Sequence, residues 1–361
     1  MWCYEVASHE NDGSNFNRFQ TWVEPEVRYL HRTMDFHGFN NQSLRRGKWL
    51  PAVTYKLEWN KSGWGYLQFL YQYSTEAPKM FDLLDISLNS DPLNPIMGNP
   101  DLKDAMKHRI MLTLNNEKPY WNILSWYLYA NYDVTQRALV YGTSYDRNTG
   151  IRTTRPENIN GNRGGEYYLY FTIKPLRDKR FSINFLTLYE PRRYATLVSP
   201  DGESALQRSL SRANRVWENI RFDFRSKNVT ASLYGYYENR RNISLTADFT
   251  DYTTQYLSCG ANLLVRLPLN FEVSTNASIT RRYGYTEASM NRSEFIWNAR
   301  ITKSIMKGSL QFVLEGYDML NRTRDTYVDF TPAYRRETHY NSLPRYFMFS
   351  VKYFFSKKPR K

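Results

Sequence analysis

The chain has no run of about 18 apolar residues, so it cannot form a transmembrane helix. It is also poor in cysteine: Cys3 and Cys259 make no disulfide framework and no C-x-x-C pair. The five histidines, His9, His31, His37, His108 and His339, stand apart, with no H-E-x-x-H segment and no Cys/His cluster. No Walker A loop or dinucleotide fingerprint is present. Gly142-Thr143-Ser144-Tyr145 lacks the second glycine of a nucleophile elbow and reads as strand and turn. No catalytic residue, cofactor or metal is therefore expected, and the protein does not read as an enzyme. Asp82, Asp85 and Asp91 cluster in one segment, but their unconstrained spacing suits a solvated loop better than a Ca²⁺ site. The first residues, Met1-Trp2-Cys3-Tyr4-Glu5, have neither a basic nor an apolar region of the kind an export signal needs.

Charge and aromatics are what the chain does have. Its 49 Lys and Arg against 35 Asp and Glu give a net charge of +14, yet no block of five or six like charges occurs. Such scattered cations suit a solvated surface or a polar lumen. Arg192-Arg193-Tyr194 and Arg281-Arg282-Tyr283 combine charge with stacking surface, as single-stranded nucleic acid would require. They sit at expected loop entrances, however, which favours an aromatic girdle with arginine near anionic headgroups, and no nucleic-acid partner is expected. Aromatic residues make up 16% of the chain, which argues against disorder.

Period-two alternation dominates from about residue 48. Trp49, Pro51, Val53, Tyr55, Leu57 and Trp59 alternate with Thr54, Lys56 and Glu58. Phe271, Val273, Thr275, Ala277 and Ile279 oppose Glu272, Ser274, Asn276 and Ser278. Successive strand residues point to opposite faces, so each segment carries one apolar and one polar face. Several reach 228–238, 256–267, 270–282 and 344–355. That is the roughly 9–11 residues a membrane-spanning strand needs, against about 5–6 in soluble sheets. Short connections near 60–63, 115–119, 174–179, 225–227, 266–269 and 306–308 alternate with long ones at 75–103, 191–213, 283–293 and 320–343. Short turns on one rim and long loops on the other are expected of an outer-membrane barrel. Region 131–165 is less regular, with connections expected near 133–135 and 146–150. Segments 201–214 and 101–106 are the only helix candidates, and the first of them reads as loop.

The last strand, Arg345 to Phe355, places Phe347, Phe349, Val351, Tyr353 and Phe355 on one face, with Ser350 and Lys352 opposite. A closing amphipathic strand that ends in aromatics resembles the signal outer-membrane barrels present to the barrel assembly machinery, although here six residues follow it. Asp91 to Leu102, with Gly98-Asn99-Pro100-Asp101-Leu102 at its end, resembles a loop that leads into a barrel strand in TonB-dependent receptors. Lys103-Asp104-Ala105 stands where those receptors often carry Lys-Pro-Glu. Thr153 to Asn160 resembles a further loop of the same receptors, Asp318 to Arg322 around Asn321 resembles their loop near the penultimate strands, and Leu343-Pro344-Arg345 before the last strand completes the likeness.

The expected fold is all-β: a transmembrane antiparallel β-barrel of about 14–16 strands over residues 1–361, with no separate plug or signal peptide. The resemblance implies the C-terminal portion of a larger barrel of about 22 strands whose lumen holds an N-terminal plug. It further implies nutrient uptake at the outer membrane of a Gram-negative bacterium, with ligand captured by the long loops. TonB coupling would run only through the missing N-terminal plug. Expected partners are outer-membrane lipid and lipopolysaccharide, the assembly machinery and an extracellular ligand whose binding residues are not legible. A non-transporting surface-binding protein is the alternative, and a soluble all-β binding protein a more distant one.

Overall fold

The computed structural model describes residues 2–9, 16–37, 41–61, 65–88, 91–116, 123–146, 148–175, 180–199, 206–244, 251–285, 291–322, 326–330, 335–339, 343 and 345–355. Its strands in chain order are β1 (Trp2–His9), β2 (Phe16–Phe36), β3 (Gln42–Lys61), β4 (Gly65–Glu76), β5 (Ser87–Leu88), β6 (Ile96–Met97) and β7 (Ala105–Asn115). They continue with β8 (Leu124–Gln136), β9 (Ala138–Tyr145), β10 (Arg152–Ile159), β11 (Asn162–Ile173), β12 (Phe181–Val198), β13 (Gln207–Arg225) and β14 (Val229–Ser244). The last are β15 (Tyr252–Leu267), β16 (Phe271–Tyr283), β17 (Ser293–Ile305), β18 (Leu310–Tyr317), β19 (Thr326–Phe330), β20 (Arg335–His339) and β21 (Tyr346–Tyr353).

One antiparallel ladder carries the fold. It runs β1-β2-β3-β4-β7-β8-β11-β12-β13-β14-β15-β16-β17-β18-β21, each strand paired with the next. Among the described residues β1 pairs only with β2 and β21 only with β18, so no hydrogen bonds join the two edge strands. The short connections fall on one rim. Two of them turn through left-handed residues, Leu269 and Asn270 (φ 61° and 59°) and Met306-Lys307-Gly308 (φ 52°, 56° and 93°). The long connections β4–β7, β8–β11 and β18–β21 fall on the other rim. This is the asymmetry of outer-membrane barrels, whose long loops face outward.

The register is constant along each pair, even across the gap in β11–β12 pairing at Gly165 and Glu166, so the two faces are continuous across strands. Val23, Trp49, Trp59, Ile220, Leu233 and Phe349 project from one face and stay exposed. Aromatic neighbours tile that face across strands: Phe181 on Phe224 (4.8 Å), Phe171 on Phe185 (4.9 Å) and Tyr167 stacked on Tyr189 (6.1 Å). An exposed apolar face of this extent needs a lipid surround rather than water.

Four expectations are corrected. β8 runs through residues 133–135 without a connection and ends at Gln136, where Arg137 turns the chain with φ 50°. The ladder supplies the reason, because 133–135 pairs with β11 on one side and β7 on the other. The 191–213 loop is mostly strand: β12 extends to Val198 and β13 starts at Gln207, and the two remain paired to their ends. Residues 207–214 are therefore strand and not loop, while 201–205 lie outside the described residues. Residues 105–106 open β7 rather than a helix, held by the pairs Thr75↔Met106 and Glu76↔Ala105. Thr153 to Asn160 is mostly strand β10 rather than loop, paired along its length with β9.

Candidate functional site

The opposite, polar face of the ladder is concave. Arg221, Ser232, Asn262, Asn276, Arg300 and Glu315, from six successive strands, line an open hollow of about 400 Å³. Their side chains converge because every second residue of β13 to β18 points to this face. The charges on the wall are mutually compensated. Glu238 is buried and accepts from Tyr236 Oη (2.7 Å), Arg215 Nε (2.8 Å) and Arg240 Nε (2.5 Å). Arg215 also donates to Glu190 (3.0 Å), which carries the network across three strands. Arg221 pairs with Asp223 (2.8 Å), which accepts from Asn184 (3.0 Å), and Asn184 accepts from Thr172 and Tyr170. Arg300 pairs with Glu315, and Arg282 and Arg292 with Glu294. Farther round, Tyr127, Tyr129, Tyr168 and Tyr170 with Glu166 line a second open hollow of about 450 Å³. A wall of paired charges and hydroxyls stays wetted and can exchange hydrogen bonds with a polar solute.

The long-loop rim carries a folded cap. The β9–β10 hairpin leaves the wall at Arg137 and returns at Gly161, and β8 and β11 close up beneath it. β6 adds to β10 in parallel at Thr154↔Ile96. Met80, Leu83, Leu84 and Leu102 are buried inside the cap. Asn99, also buried, donates to the Pro156 carbonyl (2.9 Å) and accepts from the Asp101 amide (3.1 Å). Lys103 and Asn158 exchange two hydrogen bonds (2.6 and 2.9 Å). The two receptor-like segments, 91–102 and 153–160, are therefore neighbours that hold one another.

Of the three clustered aspartates, Asp82 is buried and its carboxylate accepts from Tyr141 Oη (3.1 and 3.2 Å). Asp85 lies exposed, and Asp91 accepts from the Leu93 amide and the Asn94 side chain. These carboxylates do not converge, and no group of three or more His, Cys, Asp or Glu that could hold a metal occurs among the described residues. Burial, then the neighbouring Asp82 carboxylate, pushes the Tyr141 phenol above its usual value. A raised value keeps Tyr141 a hydrogen-bond donor through neutral and mildly alkaline pH, and the contact is lost only as pH rises past it. Tyr141→Phe is expected to destabilise the cap by about 1.5–2 kcal/mol, in the lower part of the range for a charged acceptor because the phenol edge is exposed. Limited proteolysis of the assembled protein checks this: cleavage within 77–104 should quicken while the ladder stays resistant.

In the closing strand, Phe347, Phe349, Val351, Tyr353 and Phe355 are all exposed on the outward side, and Phe349 stacks with Phe312 of β18 (6.3 Å). Arg192 turns inward, 3.9 Å from Asp133, whereas Arg281 projects outward over the Tyr283 ring at 4.8 Å. Sequence reasoning missed the Asp82–Tyr141 contact, because it joins a turn to strand β9, 59 positions apart, and neither residue carries a local signal.

An apolar outer face, a charged concave wall, short turns on one rim and loops on the other define an outer-membrane β-barrel protein. The profile of the outer membrane protein beta-barrel family matches residues 28–248 and 224–353, and the chain belongs to that family. No curated protein matches it.

Proposed function

We propose that this chain forms the wall of a receptor for TonB-dependent nutrient uptake across the outer membrane of a Gram-negative bacterium, with no catalytic step. One observation carries the reading: the charged concave wall is continuous with a folded cap on the outward rim. A ligand caught at the cap would meet the polar wall directly, and its hydrogen-bonding groups would be handed along the paired charges. The tyrosine-lined hollow beside Glu166 suits a hydroxyl- or amide-rich solute, since tyrosine offers both an apolar face and a donor. The resemblance to TonB-dependent receptors supports the energy coupling, which would act through a plug.

The test compares a deletion strain with its complemented parent in defined medium, following depletion of polar nutrients by mass spectrometry. Uptake predicts that one nutrient class persists in the medium of the deletion strain. Complementation should restore its depletion, and a protonophore should abolish it. Equal depletion by both strains overturns the uptake reading and leaves surface binding without transport.

A further inference from the structure

Four arginines far apart in the sequence meet on the outward face. Register places Arg163 of β11 directly opposite Arg193 of β12, and Arg193 directly opposite Arg212 of β13. One row nearer the membrane, Pro191 pairs with Asn214 and Asn214 with Arg241 of β14. The parity is that of the exposed Tyr167, Tyr189 and Phe222, so these arginines share the apolar side of the ladder and not the polar wall. Tyr132, Arg163, Pro191, Arg193, Arg212 and Asn214 border a small cleft of about 180 Å³.

The row is electrostatically incomplete. Like charges directly opposite on neighbouring strands destabilise a sheet. No ion pair joins Arg163, Arg193, Arg212 or Arg241 to a carboxylate among the described residues, and Arg193 Nε is buried without a hydrogen-bond partner. The nearby carboxylates are engaged elsewhere or distant. Asp133 faces Arg192 on the inner side, Glu190 pairs with Arg215, and Asp251 accepts from the Ser244 amide. Glu218 is six positions below Arg212 on the same strand.

Height selects the counter-ion. The aromatic tiling runs from the stacked Tyr167 and Tyr189 out to Tyr132, which is exposed on the same face and borders the cleft. Tyrosine at such a girdle sits at the level of lipid headgroups. The arginine row lies four residues beyond Tyr167 and Tyr189 along β11 and β12. That is roughly 13 Å along a tilted strand at about 3.3 Å per residue, but Arg163 pairs with Val134, only two residues and about 7 Å beyond Tyr132, so extended guanidinium groups reach the headgroup level the tyrosines mark. Guanidinium groups bind phosphate with paired hydrogen bonds. A site at this height on the lipid side is reached from the bilayer, which makes its occupant a lipid rather than a dissolved anion.

We propose that Arg163, Arg193, Arg212 and Arg241 form a clamp for the phosphorylated sugar headgroup of lipopolysaccharide in the outer leaflet. The clamp rests on the outward orientation of the long-loop rim and not on uptake, so either proposal can fail alone. The test isolates the membrane-assembled protein in detergent and measures lipopolysaccharide retained, then rebinding of intact lipopolysaccharide, dephosphorylated lipopolysaccharide and inorganic phosphate. The variants are R163Q/R193Q/R212Q, the single R193Q, and the outward control R281Q/K303Q. The triple variant should retain at least about tenfold less lipopolysaccharide, with R193Q between it and the parent and the control unchanged. Dephosphorylated lipid should fail to rebind. Equal retention by parent and triple variant, equal binding of dephosphorylated lipid, or binding of inorganic phosphate without lipid would each overturn the clamp. Should the triple variant not assemble, R193Q decides: retention equal to the parent rejects the proposal.

Discussion

Leu233→Arg is expected to lower the stability of the membrane-assembled protein by about 2–4 kcal/mol, and Leu264→Arg to change it by less than about 1 kcal/mol. Leu233 is 60% exposed, with Phe222 and Ala261 beside it on the neighbouring strands. Its diagonal neighbours Ile220, Phe224 and Leu263, and Ala231 and Gly235 two positions away on its own strand, offer no carboxylate or carbonyl side chain either. An arginine there must leave water for hydrocarbon or distort the bilayer to keep its hydration. Leu264 lies on the adjacent strand but on the opposite face, in the hollow lined by Ser274, Asn276 and Glu315. A guanidinium at that position remains hydrated and gains polar neighbours. Because the same residue is introduced into the interior of two paired strands, backbone propensity largely cancels. Denaturant titration of the assembled protein, with the fraction reaching the outer membrane measured alongside, reads the difference. Equal penalties would sink the assignment of the apolar face to lipid. A larger penalty at Leu264 would mean the faces are reversed, as in a soluble barrel.

The contrast rests on a property that single segments display openly. Alternation in 271–279 or in Phe347 to Phe355 already separates the two faces, because side-chain direction in a strand depends only on position parity. Loop asymmetry was legible for a similar reason, since turn-forming segments such as Met306-Lys307-Gly308 interrupt the alternation locally. What could not be read was anything that depends on register. Residues 191–198 and 207–213 are rich in Arg, Ser and Pro and look like loop, yet they are strand because each is hydrogen-bonded to a long neighbour. The turn of the β9–β10 hairpin was legible near 146–150, but not that the hairpin leaves the wall, because the strands it interrupts, β8 and β11, become neighbours only in the fold. The arginine row likewise has no sequence signature: its members come from four strands and align only through the ladder. The candidate wall lies between these cases. Its polarity was visible in each strand, but the Glu190–Arg215–Glu238 chain needed the pairing to appear.

The cap offers the second large effect. Gly98→Val should open the cap by about 3 kcal/mol, at the upper end of overpacking costs because the obstacle is backbone. A Cβ at Gly98 would lie 1.8 Å from the Leu84 carbonyl oxygen and 2.9 Å from its carbon. Neither side can withdraw cheaply, since the Gly98 amide donates to the Ile86 carbonyl (3.1 Å) and the Asn99 amide to the Asp82 carbonyl (2.7 Å). Leu84 is itself among the most buried side chains, so moving its backbone disturbs the packing of the cap around it. The demand at Gly98 is for space and not for backbone freedom, as its φ is not positive. Gly150 is the converse, with φ +72° and nothing within 4 Å of a Cβ, so Gly150→Ala should cost only about 1 kcal/mol. Protease added to intact cells distinguishes the two: about 3 kcal/mol corresponds to a roughly hundredfold larger open population of the cap. Assembly should survive in both variants, because β4 and β7 pair with one another below the cap whatever its state. Unchanged cleavage of 77–104 in Gly98→Val would mean that the Gly98-Asn99-Pro100-Asp101-Leu102 segment does not hold the cap. If cleavage rises and nutrient uptake falls together, the segment acts on the ligand by fixing the shape of the cap, since the buried Asn99 and Leu102 cannot meet a ligand themselves.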